Sequence, residues 1–329
     1  SVWRKPYIFT FNDLKITTMG LPSSGGVLLH QILKSIELFS IKKFTKRDLN
    51  YIKTLLELEK LSFSDRSKFL GDPDFYNTDF IDSITSEKYL LNRINLIDIN
   101  NPKPSKDIFP GKMILNESNE TTHYSILDKY GNAISVTTTL NSNFGSKIFI
   151  PSLGFFLNNE MDDFSIKPGY PNIYGMIGGE INSIEPEKRM LSSMTPTIIE
   201  KNNKLSMILG SPGGPTIITT VLQTILNVNL FDDNLIDAVN RPRFHHLWLP
   251  DKVYYEKGAF SKSDIDSLKK IGYLLNKKPS LIGRVNAIYI NSEGKITAAA
   301  DFRGDDFAFS EWFILLILIL TDWIFRWVK

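Results

Sequence analysis

The sequence predicts a mixed α+β fold, in which helices dominate the first part of the chain and strands dominate the rest. Apolar residues recur at helical spacing in three stretches, at residues 27–39, 45–63 and 84–97. From residue 122 the pattern changes to the two-residue alternation of strands, with turn residues between successive runs. The periodicity predicts both types of element but leaves the order of the layers open.

The part of the chain before residue 121 is expected to begin with short strands, because residues 14–19 alternate. The loop at residues 22–26 then opens the first helix. Its Ser-Ser-Gly-Gly run fits either an anion cradle at the helix N-terminus or a tight turn that lets backbones pack closely. Residues 71–75 are expected to form a turn. Residues 101–119 carry scattered Pro and Gly and predict a mobile loop with room for a cleavage junction.

The part after residue 121 has the pattern of hairpins separated by helices. The expected strands are residues 122–127, 133–139, 155–157, 197–199, 205–209, 287–290 and 296–300. The expected helices are residues 216–228, 235–239 and 261–271. The turns that join the hairpins are residues 129–132, 202–203 and 292–294.

The composition is that of an ordinary globular chain with a sizeable core. Of the 329 residues, 42% are hydrophobic and 22% are charged, and 38 basic against 36 acidic residues give a net charge of +2. No basic run is long enough to indicate nucleic-acid binding. The absence of cysteine excludes disulfides and thiol chemistry, and the four histidines show no metal-ligand spacing. We therefore predict no metal and no cofactor.

The two ends of the chain give different signals. Residues 1–10 lack the charged-then-apolar pattern of a signal peptide. Residues 312–328 contain the apolar run Phe313–Leu320, which Asp322 interrupts well short of the roughly 20 residues that a spanning helix needs. This tail is interpreted either as a non-native extension that packs opportunistically or as a segment with weak membrane contact.

Thr121 stands where the loop gives way to the first of the later strands. Cleavage of the peptide bond before Thr121 would free an α-amine beside its own hydroxyl. Such an amine has a pKa near 8 in peptides, so it can accept the hydroxyl proton at neutral pH. Thr121 is therefore our candidate for both nucleophile and base, although a Thr-Thr pair before a strand is by itself ordinary strand material.

Four sequence blocks carry a resemblance to a known family. They are TTHYSILDKYGNAISVTTTLNSNFGS at 121–146, LNNEMDDFSIKPG at 157–169, KRMLSSMTPTII at 188–199 and GSPGG at 210–214. In order and spacing they resemble the γ-glutamyltranspeptidases, and the likeness runs from about Trp3 to about Phe307. The resemblance implies an N-terminal nucleophile hydrolase αββα sandwich, truncated at its N-terminal side, that cleaves itself before Thr121.

The resemblance also implies a domain plan, a reaction and a location. Residues 1–120 would be the C-terminal part of a large subunit, 121–309 the small catalytic subunit, and 310–329 a tail of unclear status. The two cleavage products would stay together and transfer γ-glutamyl groups, from glutathione or another γ-glutamyl compound, to an acceptor amino acid or peptide or to water. The family location is periplasmic or extracellular.

The implied catalytic residues are Thr121, Thr139, Gly213 and Gly214. Thr139 would hydrogen-bond the nucleophile, although a Thr triplet is also simply good strand material. Gly213 and Gly214 precede an apolar helix, and N–H groups at a helix N-terminus can stabilise a developing oxyanion. Without the resemblance, two glycines before a helix are more often only a turn.

The implied substrate-binding residues divide between the two charges of an α-amino acid. An acidic cluster alone is usually a solvated turn, but here Asp163 would pair with the ammonium, with Glu160 at a position where the family also carries Gln. Paired serine hydroxyls would bind the carboxylate, and residues 167–178 would form a lid. The full set is Asn141, Glu160, Asp163, Ser192, Ser193 and, on the lid, Tyr174.

One expected anchor has no match in this sequence. In the family an Arg binds the substrate α-carboxylate in bidentate fashion, which suits the fork of guanidinium donors, and its position falls before Ser1. Three hypotheses therefore stay open: a γ-glutamyl transferase or hydrolase, a related acylase such as a cephalosporin acylase or poly-γ-glutamate processor, and a truncated non-catalytic remnant. The α-amino acid binding set favours the first.

Overall fold

The computed structural model describes residues 1–39, 46–109, 122–168, 170 and 179–310. Its strands are β1 (Tyr7–Phe11), β2 (Leu14–Thr18), β3 (Thr122–Leu127), β4 (Ala133–Thr138), β5 (Phe149–Ile150), β6 (Phe155–Phe156), β7 (Thr197–Lys201), β8 (Lys204–Gly210), β9 (Phe244–His246), β10 (Val253–Tyr255), β11 (Asn286–Ile290) and β12 (Ile296–Ala300). Its α-helices are α1 (Gly25–Leu38), α2 (Leu49–Phe69), α3 (Phe80–Thr85), α4 (Glu87–Ile94), α5 (Thr216–Asn229), α6 (Leu235–Asn240) and α7 (Lys262–Lys270).

A six-stranded antiparallel sheet forms the centre of the fold. Its strand order is β1-β2-β7-β8-β11-β12, so the two ends of the chain contribute to one sheet. Helices α1 and α5 pack against each other and against this sheet. Apolar residues recur along both helices, and their buried side chains, such as Leu29 of α1 and Leu222 of α5, belong to the hydrophobic core.

The β3–β4 hairpin forms a second β layer, in contact with β7, β8 and β11. Strand residues alternate between two faces, and here the face toward the central sheet is polar. Ser135 Oγ, for example, donates to the carbonyl of Leu209 in β8 at 3.1 Å. The opposite face carries Tyr124, Ile126 and Ile134, which are 46%, 47% and 50% exposed. The described residues thus supply three layers of the expected αββα sandwich and leave the outer face of the hairpin uncovered.

The predicted helices are present, with corrected ends. The helix predicted from residue 45 begins at Leu49, because the Asp48 carboxylate caps it by accepting from Tyr51 N at 2.9 Å, and it continues to Phe69. The prediction of a single helix over residues 84–97 was wrong. The segment is two helices, α3 and α4, separated at Ser86, whose extended backbone ends one helix and whose hydroxyl caps the next.

The prediction of a mobile loop over 101–119 was wrong for its first part. Ser105 donates from its N and Oγ to the Asp251 carboxylate, both at 2.8 Å. Trp248 Nε1 donates to the carbonyl oxygens of Ser105 and Ile108 at 2.8 and 2.9 Å. These contacts anchor the chain as far as Ile108. The rest of the predicted loop lies outside the described residues.

No helix among the described residues is both long and apolar enough to cross a membrane. The tail at residues 312–328 lies outside those residues, so both interpretations of it stay open. The division into 1–120, 121–309 and 310–329 also stays a prediction.

Candidate functional site

A cleft of about 220 Å³ opens at the end of the β3–β4 hairpin. Thr122, the first residue of β3, pairs there with Thr138, the last residue of β4. The predicted nucleophile Thr121 lies outside the described residues but is bonded directly to Thr122, so its attachment point lies in the cleft wall. The lining residues are Thr122, Thr138, Thr139, Leu140, Ser142, Asn143, Phe144 and Arg284.

Thr139 and Asn141 lie together just beyond β4, which ends one residue earlier than predicted. Asn141 N donates to Thr139 Oγ1 at 2.8 Å, and the positive φ of 71° at Asn141 turns the chain there. The buried Asn141 amide then donates to the carbonyl of Asn159 at 3.1 Å, one residue before Glu160. This contact joins the strand end to the predicted ammonium-binding segment.

His123 follows Thr122 and points the other way, into the fold. Its Nδ1 is 2.9 Å from Thr137 Oγ1, and its Nε2 is 3.1 Å from Ser125 Oγ. A Cβ at Gly210 would overlap the imidazole ring, so this glycine is required for the close approach. Because both ring nitrogens are engaged and the ring is buried, His123 anchors the hairpin and is not a candidate base.

Burial lowers the pKa of His123 to about 4, so the native state holds its imidazole neutral. The unfolded chain binds a proton near pH 6.5, and stability should therefore fall as the pH drops from 6.5 toward 4, by up to about 3 kcal/mol from this residue. Chemical denaturation across this range measures the slope, and His123→Gln should reduce it. His30 and His245, whose pKa values burial lowers to about 4 and about 3, would still contribute in that variant. An unchanged slope in His123→Gln would contradict this prediction.

The predicted oxyanion pair lies immediately before α5. Gly213 and Gly214 have φ values of 131° and 55°, which favour glycine at both positions. A Cβ at Gly213 would lie 2.5 Å from Thr216 Oγ1 and 3.3 Å from Gly283 Cα, so the loop is closely packed. Within the described part of the chain, neither glycine N–H donates a hydrogen bond. The positive end of a 14-residue helix with free N–H groups suits a developing oxyanion.

The predicted ammonium side occupies a short 3₁₀ turn, Glu160–Asp163. Asp163 is only 8% exposed, and partial burial raises the pKa of Glu160. Asn182 connects this turn to the predicted carboxylate side. Its amide donates to the Asp163 carbonyl at 2.7 Å, and its Oδ1 accepts from Leu191 N at 2.9 Å, one residue before Ser192. The sequence interpretation missed Asn182, because nothing local marks it.

The predicted carboxylate side is Ser192 and Ser193, which run beside the Ser-Ser-Gly-Gly loop. Ser192 N donates to the Pro22 carbonyl at 2.8 Å, and Ser24 N donates to the Ser192 carbonyl at 2.8 Å. Ser193 Oγ is buried and has no hydrogen-bond partner among the described residues. A Cβ at Gly25 would overlap Thr195 Oγ1. The loop therefore serves close packing, the second of the two interpretations offered for it.

Arg66 lies behind this segment and was also missed. Its Nε donates to Ser24 Oγ at 2.8 Å, and Ser24 Oγ donates to the Ser192 carbonyl at 2.8 Å. Burial lowers the pKa of Arg66 to about 9, while the negative charge of Asp163 acts in the opposite direction. A buried cation thus lies near both predicted halves of the substrate site. Arginine is rarely fully buried, so no local sequence pattern predicts a buried cation at this position.

Only part of the predicted lid, residues 167–178, lies within the described residues. Lys167 Nζ lies 3.7 Å from the centre of the Tyr170 ring, a cation–π contact at the start of the segment. Tyr174, the residue predicted to close the pocket, lies outside the described residues, as does Thr121.

Comparisons with known proteins give a consistent result. The sequence pattern of the γ-glutamyltranspeptidase family matches residues 1–310. The glutathione hydrolase proenzyme of Escherichia coli K12 is 44% identical over 306 residues, which are 93% of this chain and 52% of that relative. The γ-glutamyltranspeptidase from Pseudomonas nitroreducens, solved with L-DON, is 43% identical with a TM-score of 0.55, covering 57% of this chain and 98% of that one.

A more distant solved structure matches most of the described fold. The cephalosporin acylase from Bacillus halodurans has a TM-score of 0.73 over 92% of this chain and 52% of its own, at 19% identity. That likeness shows the fold alone. The chain spans about half the length of the curated relatives it matches, 52% for the Escherichia coli protein and 54% for a Pseudomonas aeruginosa glutathione hydrolase proenzyme.

Proposed function

Because the chain belongs to the γ-glutamyltranspeptidase family, we propose that it cleaves itself before Thr121 and then transfers or hydrolyses γ-glutamyl groups. The observation that carries this proposal is the link through Asn182. It joins the main-chain carbonyl of Asp163, whose side chain is buried, to the main chain just before Ser192. The Ser193 hydroxyl on that segment is buried and has no hydrogen-bond partner among the described residues. A buried carboxylate and a buried hydroxyl on two joined segments suit the ammonium and carboxylate of an α-amino acid.

The proposed reaction is a two-step acyl transfer. The Thr121 α-amine takes the proton from the Thr121 hydroxyl, whose oxygen attacks the γ-carbonyl carbon. The carbonyl oxygen becomes an oxyanion that the N–H groups of Gly213 and Gly214 stabilise. The C–N bond breaks, the leaving amine takes the proton, and a γ-glutamyl ester remains on Thr121. Water or an acceptor amine then repeats the attack and frees the enzyme. Thr139 is proposed to hold the nucleophile.

The proposed substrate contacts follow the two charges of the γ-glutamyl group. Asp163 pairs with the ammonium, assisted by Asn141 and Glu160, and Ser192 and Ser193 donate to the carboxylate. Glutathione is the proposed substrate type, with an amino acid, a peptide or water as acceptor. The two cleavage products are proposed to stay associated, in a periplasmic or extracellular location. Tyr174 is proposed to close the pocket.

The acylase alternative has only the shared fold in its favour, because the cephalosporin acylase is 19% identical. An acylase for substrates without an α-amino group would present no ammonium for the Asp163 carboxylate to bind. A non-catalytic remnant would not need to keep two glycine N–H groups that donate no hydrogen bond within the described structure.

Asp163→Ala is expected to reduce kcat/KM for a γ-glutamyl anilide by more than tenfold while leaving self-cleavage intact. Removal of one partner of a desolvated charge pair costs about 2–5 kcal/mol. The measurement compares γ-glutamyl anilide with glutaryl anilide, which lacks only the ammonium. The natural chain should strongly prefer the first, and the variant should lose that preference.

Asp266→Asn is the matched control, since it removes an exposed carboxylate on α7, a helix that contains none of the predicted site residues. It should leave the preference unchanged. Equal rates on the two anilides by the natural chain would refute the proposed recognition of the ammonium.

A further inference from the structure

Arg284 is the only ionisable side chain among the described residues that line the cleft. Its backbone is fixed against the proposed oxyanion loop, because Arg284 N donates to Ser211 Oγ at 2.9 Å. The preceding residue, Gly283, has a φ of 62° and packs against Gly213. The Arg284 cation therefore lies next to the loop that holds the proposed oxyanion donors, Gly213 and Gly214. It lines the same cleft as Thr122, the neighbour of the predicted nucleophile.

The guanidinium of Arg284 is only loosely paired. Its Nη1 is 3.5 Å from an Asp305 carboxylate that is fully exposed, and its Nε is 3.8 Å from Asp306. Charge-assisted hydrogen bonds of arginine are normally about 2.7–2.9 Å, and exposed pairs at longer range stabilise little. The side chain is 34% exposed. It can therefore exchange these contacts for a carboxylate that enters the cleft.

The γ-glutamyl group leaves no charge for Arg284 to bind. Its ammonium and carboxylate are assigned to the segments joined by Asn182, and its carbonyl oxygen to Gly213 and Gly214. The remaining wall of the cleft is therefore left for the group on the nitrogen side of the scissile bond. That group is the leaving amine in the first step and the acceptor in the second. The leaving dipeptide of glutathione ends in a carboxylate, and amino acid and peptide acceptors carry one too.

We infer that Arg284 forms a carboxylate-binding subsite for the leaving group and the acceptor, an inference that rests on the proposed γ-glutamyl activity. The fork of donors of a guanidinium matches the two oxygens of a carboxylate. The subsite favours leaving groups and acceptors that carry a carboxylate near the reacting nitrogen over neutral ones.

The test uses two chromogenic substrates that differ by one carboxylate, γ-glutamyl 4-nitroanilide and γ-glutamyl 3-carboxy-4-nitroanilide. The natural chain should prefer the carboxylated compound. Arg284→Gln should reduce kcat/KM for the carboxylated compound by about tenfold or more. It should reduce kcat/KM for the neutral compound by less than twofold, because only the carboxylated compound loses a charge-assisted contact. Arg284→Lys should retain part of the preference. The ratio of the two values does not depend on the fraction of active protein.

Lys129→Gln, which removes an exposed cation from the β3–β4 turn, should leave the ratio unchanged. The inference is overturned if Arg284→Gln keeps the preference, or if it lowers both values equally, as it would if Arg284 bound the α-carboxylate or only supported the fold. A natural chain that turns over the neutral substrate but shows no preference also overturns it, and leaves the proposed function standing. A chain that turns over neither contradicts the proposed function, and the inference with it.

Discussion

Thr121→Ala is expected to remain a single uncut chain, whereas the natural chain is expected to divide between Glu120 and Thr121 into residues 1–120 and 121–329. The hydroxyl of Thr121 is the only group proposed to attack the preceding carbonyl, so its loss should abolish cleavage rather than slow it. Intact-mass analysis of folded protein distinguishes one chain from two and locates the cut to a single residue.

The fold restrains both sides of the proposed junction. On one side the chain is held at Ser105 by Asp251, and on the other side Thr122 is fixed in β3 opposite Thr138. Cleavage should thus proceed in the isolated, folded chain without another protein.

Thr121→Ser keeps a hydroxyl and should still divide, and Thr122→Ala should divide as well, because it changes the neighbouring side chain and leaves the nucleophile. A cut at another bond, or an uncut natural chain that is fully folded, would contradict the assignment of Thr121.

The elements that the sequence predicted well are those with long, regular periods. The β3–β4 hairpin and α5 were placed to within one residue, because six or more residues of alternation or of helical spacing exclude the other type of element. The two- and three-residue strands β5, β9 and β10 were missed. Runs so short carry no period, and pairing with a partner strand decides their conformation.

The candidate site divides in a similar way. Thr139, Asp163 and Gly213 were identified as site residues from a resemblance to the family. Their roles stay predictions. The contacts that connect them are made between residues far apart in the chain. Arg66 and Ser24 are 42 residues apart, and Ser211 and Arg284 are 73 apart. No local pattern predicts such a pair, because the fold alone brings its members together.

The outer face of the β3–β4 hairpin is an exposed apolar surface in the described structure. This face exposes Tyr124, Ile126 and Ile134, while the polar face of the same hairpin is turned inward. A hairpin whose outer face was in contact with water would have polar side chains on that face and apolar side chains on the inner face. Exposed apolar patches mark contact surfaces. Because the chain spans about half the length of its curated relatives, we expect further polypeptide, equivalent to the unmatched half, to cover this face.

The 329-residue chain is therefore expected to turn over γ-glutamyl anilide poorly. An upstream extension in cis, or the corresponding segment in trans, should raise kcat/KM by about tenfold or more. Ser192 and Ser193 offer only neutral donors to the α-carboxylate, and a bidentate, charge-assisted arginine contact is roughly twice as strong. The part of the Escherichia coli relative that this chain does not match is a suitable source.

The assay compares anilide release by the two forms at equal concentrations of cleaved protein, so that a difference in self-cleavage does not enter the result. An extension of the same length in scrambled order is the control, and it should give no gain. If the 329-residue chain and the extended chain had comparable rates, activity would not require further polypeptide on the outer face of the hairpin. The serine pair, backed by the buried charge of Arg66, would then suffice to bind the carboxylate.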